Sequence, residues 1–228
     1  MAVVVIVILL AWKLIPVIIE YCQYAASDYR AQTGLSYIKL VFDKGRYGEY
    51  LTGAKLARFG HHRTLYNLYV PKPDGTTSEI DVVFIHASGV YVIESKNYSG
   101  AVYGSENDRY WTVALAGGRR KERLYNPIRQ NAGHITALVN YLSGLGLPLG
   151  IFSVLVFSVR SVLAKVPQPP NVIIVNRNHL VRALKPRIKS PAILTDQQIE
   201  EVYAYLQPLT QTSPESRQAH IDQINSRI

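Results

Sequence analysis

The apolar positions along this chain fall into segments of different period. Residues 2–19 are apolar apart from Lys13, and as a helix they would reach about 27 Å, close to the hydrocarbon thickness of a bilayer. Around residues 49–57 the apolar Tyr50, Leu51, Ala54 and Ala57 recur at roughly helical spacing, which predicts a helix with Glu49 near its N-terminus, where a carboxylate is favoured. A strand follows at residues 65–70. After the turn-rich stretch 71–78, residues 79–96 read as two apolar strands joined by a short turn ending in Gly89. Shorter strands are expected at residues 101–103 and 110–115, the second entering a tight hairpin at Gly117 and Gly118. Ile135, Leu138, Val139 and Leu142 give residues 130–142 helical periodicity, and two more strands are predicted at 151–159 and 172–175 on either side of the proline-rich stretch 167–170. Thr195, Asp196, Gln197 and Gln198 form a capping-box pattern opening a terminal helix to about Leu206. Past Pro208 the chain turns polar.

This pattern divides the chain into a membrane anchor at 1–20, a linker at 21–36, a globular α/β domain at 37–206 and a polar tail at 207–228. A buried helix and a cleaved signal peptide are the other readings of the first segment. Lys13 and Pro16 lie toward one end of it, where a lysine can snorkel and a helix can break. No basic residue precedes the run, and Ala25, Ala26 and Ser27 make a weak cleavage site. Arg30, Lys39, Lys44 and Arg46 follow it, so the positive-inside rule puts the rest of a single-pass chain in the cytoplasm.

Hydrophobic residues make up 48% of the 228, enough for a substantial core, and a net charge of +9 with a pI near 9.6 suits a polyanionic partner or an anionic membrane surface. Cys22 is the single cysteine, which excludes internal disulfides and multi-cysteine zinc sites and points to a reducing compartment. There is no internal repeat, Gly-rich phosphate loop, or serine or cysteine nucleophile motif.

The chemistry concentrates in the hairpin. Pairing Ile85 with Val90 carries the register outward to set Asp81 opposite Glu94, and strand alternation turns Lys96 to the same face while Ser95 points to the other. Two carboxylates and an ammonium on one face could hold a divalent cation through hard oxygen ligands, with the lysine beside a phosphate, or could form a salt bridge at a sheet edge. His61 and His62 are adjacent on an expected loop, which argues against a metal role for both. Arg119, Arg120, Lys121 and Arg123 form a basic arm suited to a phosphate backbone or to a solvated edge.

The ordered set Gly48-Glu49, Glu79-Ile80-Asp81, Gly89 through Ile93-Glu94-Ser95-Lys96-Asn97-Tyr98-Ser99-Gly100, Trp111, and Asn126-Pro127-Ile128-Arg129-Gln130 resembles the nuclease-related domain family over roughly residues 37–141. The resemblance implies a restriction-endonuclease-like core of the PD-(D/E)xK superfamily, with a mixed central β-sheet flanked by helices, acting on DNA with Mg²⁺ or Mn²⁺. Position by position, it makes Asp81 and Glu94 metal ligands, Lys96 the lysine of the E-x-K signature, Glu49 the acidic residue of the first helix and a further metal ligand, and Gln130 the glutamine of a later helix. Asn97 and the basic arm are the expected nucleic-acid contacts. Glu79-Ile80-Asp81 stands where the superfamily has a Pro-Asp pair. The residues suit RNA as well as DNA, and a homodimer is an expected assembly, since many nucleases that cut both strands act as dimers. The competing classes are a membrane-tethered nucleic-acid-binding module that does not cut and a scaffold on anionic lipid.

Overall fold

Strands that are apolar on both faces must be covered twice, and the hairpin at residues 77–96 is such a pair. In the computed structural model, which describes residues 1–210 and the side chains of all of these except residues 2–11 and Ala116, β2 (Thr77–His86) and β3 (Gly89–Lys96) lie inside a five-stranded sheet. The strand order is β1-β2-β3-β7-β9, with β1 (His62–Pro71), β7 (Ile151–Phe157) and β9 (Val172–Asn176). The first three strands are antiparallel and the last three parallel, so the sheet is mixed. The hairpin register is as expected: Ile85 pairs with Val90 and Val82 with Ile93.

One face packs α5 (Pro127–Leu142) and α7 (Asp196–Leu206) through Leu138, Leu142, Ile199 and Val202 onto Leu65, Val83 and Val92. The other packs α4 (Lys44–Leu56) and α6 (Leu180–Ile188) through Tyr50, Leu56 and Leu184 onto Val82, Phe84 and Ile93. Each fully buried aliphatic side chain here contributes about 1.5–3 kcal/mol. The parallel step from β3 to β7 needs a long crossover, which carries three strands of a second sheet as well as α5; the fourth strand lies in the next parallel connection, from β7 to β9, and the order of that sheet is β6-β5-β4-β8. Its strands are β4 (Gly100–Tyr103), β5 (Tyr110–Leu115), β6 (Arg120–Tyr125) and β8 (Ser161–Lys165). Val102, Trp111, Val113 and Leu124 join it to Leu155 and Phe157 of the first.

Several elements differ from expectation. Helix α4 starts at Lys44, directly after the short α3 (Tyr37–Phe42), because the Asp43 carboxylate accepts the Arg46 N–H at 3.1 Å and outweighs the poor propensity of Gly45 and Gly48. Glu49 therefore lies inside the helix rather than at its positive end. Strand β8 and helix α6 escaped the periodicity, the first being five residues long and the second containing Pro186. The stretch read as a linker, 21–36, is helical over α1 (Ala2–Ala25) and α2 (Asp28–Thr33), and its Tyr24 and Tyr29 are buried against Tyr50. Among the described residues no helix is long and apolar enough to cross a membrane. Most of the run behind the anchor expectation, residues 2–11, lies outside the described side chains. Of the expected tail, Gln207–Thr210 forms a short 3₁₀ turn with Thr210 buried, and 211–228 lie outside the described residues.

Helix α4 approaches β1 closely at one glycine. A Cβ on Gly53 would overlap the hydroxyl of Tyr66, whose buried ring packs 4.8 Å from that of Tyr29. Gly53→Ala should cost about 1–3 kcal/mol in denaturant unfolding, whereas Gly45→Ala, whose Cβ would meet only Asp43 Oδ1 at 3.4 Å, should be neutral or stabilising. Equal stability of the two variants would contradict this packing.

Candidate active site

The β1–β2 ribbon changes phase at one position. Leu65 and Leu68, three apart, sit in the same core cluster, as do Ile80 and Val83 on the facing strand. Strict alternation would put the members of each pair on opposite faces. The step falls where Asn67 adopts φ 53, a left-handed conformation that asparagine tolerates better than most residues, and between the pairs Tyr66–Val82 and Leu68–Ile80 the ladder passes over Asn67 and Asp81. On its other side, the β2–β3 ladder ends at the Val82–Ile93 pair, and the Asp81 carboxylate takes the next N–H, that of Ser95, at 2.7 Å. A side chain thus replaces a backbone partner where the strands part.

Across that gap, Glu94 Oε1 lies 2.6 Å from Lys96 Nζ, and Lys96 Nζ donates to Gln130 Oε1 at 3.0 Å. Glu94 Oε2 lies 3.0 Å from His134 Nε2, and Ser78 Oγ lies 2.7 Å from His134 Nδ1. With the proton on Nε2, the imidazole donates to the carboxylate and accepts from Ser78. Gln130 and His134 are four apart on α5 and so share the helix face that covers β3. Asn126 starts that helix, its Oδ1 accepting the Ile128 N–H. Ser95 turns the other way, as alternation requires, its hydroxyl 3.4 Å from that of Thr52 on α4.

The carboxylates differ in protonation. Burial pushes Glu94 up, but the Lys96 ammonium and the His134 hydrogen bond outweigh it and hold the group down at about 2. Lys96 is pulled down by burial and raised by Glu94 and Asp81, ending above its ordinary value and charged. Asp81 is raised well above the usual carboxylate range by burial, then by Glu94 and Glu49, against the opposing Lys96 and Ser95 N–H. Glu49 is raised to about 7 by burial, although hydrogen bonds from Tyr29 and Asn67 oppose this. The Tyr29 hydroxyl donates to Glu49 Oε2 at 2.9 Å.

The structure therefore gathers Asp81, Glu94, Lys96 and Gln130 and sets Glu49 on the α4 side, engaged with Tyr29. Among the described residues no three of His, Cys, Asp and Glu stand together in a group that could hold a metal ion. The donors that remain are a carboxylate pair, Asp81 and Glu94. That pair suits Mg²⁺, which uses one or two carboxylates and keeps several waters, and a cation between them would relieve the repulsion that raises Asp81. Asn97 is otherwise occupied: its amide donates to Lys44 O at 2.6 Å and its Oδ1 accepts from Arg177 at 3.4 Å. In the basic arm, Arg120 pairs with Glu122 at 2.6 Å, Arg123 stacks over Tyr110 at 4.1 Å, and Arg119 and Lys121 are exposed. His61 faces Glu200 at 3.5 Å. Sequence reasoning missed His134, whose signal was its helical spacing from Gln130, and Asn67, Tyr29 and Ser78, for which no local signal existed.

An α/β domain with an acid–acid–lysine constellation where two strands part is the class these features define. The family model for the nuclease-related domain matches residues 44–158, about half of the chain, from the start of α4 to just past β7, and the chain belongs to the nuclease-related domain family. An uncharacterized protein of Bacillus anthracis is 38% identical over 97 residues, 42% of this chain and 45% of its own length, so the chain covers less than half of that relative. No solved structure matches the chain.

The raised value of Glu49 carries a stability consequence. A carboxyl whose folded pKa lies above its unfolded one contributes most below the unfolded value, near 4.5, and loses that contribution as pH rises to about 7. Relative to Glu49→Gln, the wild type should lose up to roughly 3 kcal/mol between pH 4.5 and pH 8 in urea unfolding. A difference that stays flat with pH would refute the assignment.

Proposed function

We propose that this chain is a metal-dependent nuclease of the PD-(D/E)xK type that hydrolyses DNA phosphodiester bonds, held at a membrane by residues 2–19 with its globular part in the cytoplasm. The observation behind this reading is the contact chain Glu94–Lys96–Gln130 beside Asp81 at one strand end. A divalent cation held by Asp81 and Glu94 would supply Lewis-acid stabilisation of a phosphate in the transition state. Lys96, charged and part-buried, adds a fixed positive group for the developing oxyanion, and Gln130 limits where its ammonium can point. Ser78 and His134 orient the Glu94 carboxylate from behind. Asp81, held toward its protonated form, would have to lose its proton to hold a cation, so cation affinity would rise with pH.

The closed Glu94–Lys96 pair favours a second reading, a nucleic-acid-binding module of the same fold that does not cut, because a carboxylate already matched to an ammonium has less need of a cation. Cleavage assays separate the two. The purified full chain, given labelled DNA and RNA with Mg²⁺, Mn²⁺ or EDTA, should cut DNA only with the cation. Asp81→Ala and Lys96→Ala should each lower the rate by about 10² to 10³ or more while circular dichroism shows the fold intact. Wild-type rates in Lys96→Ala, or binding without metal-dependent cutting, would overturn the nuclease assignment.

A further inference from the structure

The second sheet offers a surface that the strand end does not use. Its inner face packs Val102, Trp111, Val113 and Leu124 against the first sheet, and alternation turns the remaining positions outward. The register arranges these in rows: Tyr125 beside Tyr110; Arg123, Thr112 and Tyr103, with Lys165 brought opposite Tyr103 by a register shift past the Val102–Leu163 pair; Lys121, Ala114, Ala101 and Val162. No described helix packs across them. Tyr103 and Tyr125 are 43% and 44% exposed, high for aromatic rings in strands. The guanidinium of Arg123 lies 4.1 Å over the Tyr110 ring, and that ring meets Tyr125 edge-on at 6.0 Å. Glu122 is the one carboxylate in these four strands, and the register sets it opposite the buried Val113, on the inner side.

We infer that this outer face binds an unpaired nucleic-acid strand, with bases stacking on Tyr103 and Tyr125 and phosphates meeting Lys121, Arg123 and Lys165. The inference deepens the nuclease reading and rests on it for its link to catalysis. Charge complementarity selects the occupant, because the face carries cations and no carboxylate, and a polyanion with accessible ring faces matches both of its components. A duplex hides its bases from such a surface, whereas a single strand can splay them onto a sheet bearing aromatics. The platform also joins the candidate active site directly: β4 begins four residues after Lys96. The Asn126 amide that starts α5 also donates to Asp108 O at 2.6 Å and Ser105 O at 3.2 Å, in the loop entering β5. Tyr125 immediately precedes Asn126, so this edge of the face adjoins the start of the helix that carries Gln130.

Fluorescence anisotropy of the full chain with labelled oligothymidylate, oligouridylate and duplex DNA tests this in EDTA, so that binding is read whether or not the chain cuts. Oligothymidylate or oligouridylate should bind more tightly than duplex, and the comparison of the two identifies the sugar. Tyr103→Ala and Tyr125→Ala should each weaken single-strand binding about tenfold, with Tyr→Phe restoring it and melting temperatures unchanged. Lys121→Gln and Arg123→Gln should each lower the slope of log affinity against log salt by about 0.7. Preference for the duplex, full affinity in the Tyr103→Ala/Tyr125→Ala double variant, or competition by phosphatidylserine vesicles that is indifferent to both tyrosines would overturn the inference.

Discussion

A carboxylate that is buried and still charged constrains everything placed around it. Glu94 is 1% exposed inside a five-stranded sheet, and an ionised group there is tolerable only with its charge matched and its lone pairs occupied. Lys96 supplies the charge from two residues along the same strand, and His134 supplies the second contact from α5. Helix α5 must therefore dock in one register. Asn126 sets where it begins, Asn131 anchors it to Val92 O at 3.0 Å, and Leu138 drives it onto the apolar face. Removing the lysine would leave the carboxylate with the histidine alone, so this part of the site and this part of the core are one unit.

Three carboxylates lie near this strand end, and their neighbours set them apart. Glu94 stays ionised because a cation touches it; Asp81 is pushed up by burial and then by the charges of Glu94 and Glu49, and Glu49 by burial and then by the charge of Glu79, against their hydrogen bonds. The constellation is consequently less negative than its composition suggests. A polyanion approaching a fully ionised acidic cluster would be repelled, whereas here one charge is cancelled by Lys96 and the others are partly withheld.

How legible this was in the sequence follows from the range of each interaction. The hairpin was readable because its register depends on a short turn and a two-residue period, both local, and that register alone brought Asp81, Glu94 and Lys96 to one end. Gln130 came from the family resemblance, and the structure sets it against Lys96. The phase step at Asn67 was invisible, since a left-handed residue inside a strand is selected by what lies across it and not by its neighbours in sequence. The Tyr29–Glu49 bond joins residues 20 apart from two different helices, and Arg177 reaches Gly48 across 129 positions. Strands β4 and β5 and the far arm of their hairpin were readable but β8 was not, and the separation of this sheet from the first depends on Trp111 and Phe157 stacking between them at 6.4 Å, a tertiary fact.

The alternation of β3 explains how both covering helices are fixed at the same place. Even-numbered Glu94 and Lys96 are gripped by α5 through His134 and Gln130. On the other face, Ser95 meets Thr52 of α4, and Asn97 takes Lys44 O while accepting from Arg177. Arg177 is buried, pairs with no carboxylate among the described residues, and donates to Gly48 O at 3.1 Å, so its charge is spread over α4 and the end of β3 together. A Cβ on Gly48 would come within 2.8 Å of Asn97 Cβ, which shows how closely that helix sits. Four consecutive residues thus fasten two helices to opposite sides of one strand. The contrast lies four residues past Lys96, where β4 opens a face on which Tyr103 and Tyr125 stay 43% and 44% exposed, so the chain passes from its most tightly fastened segment to one of its most open ones.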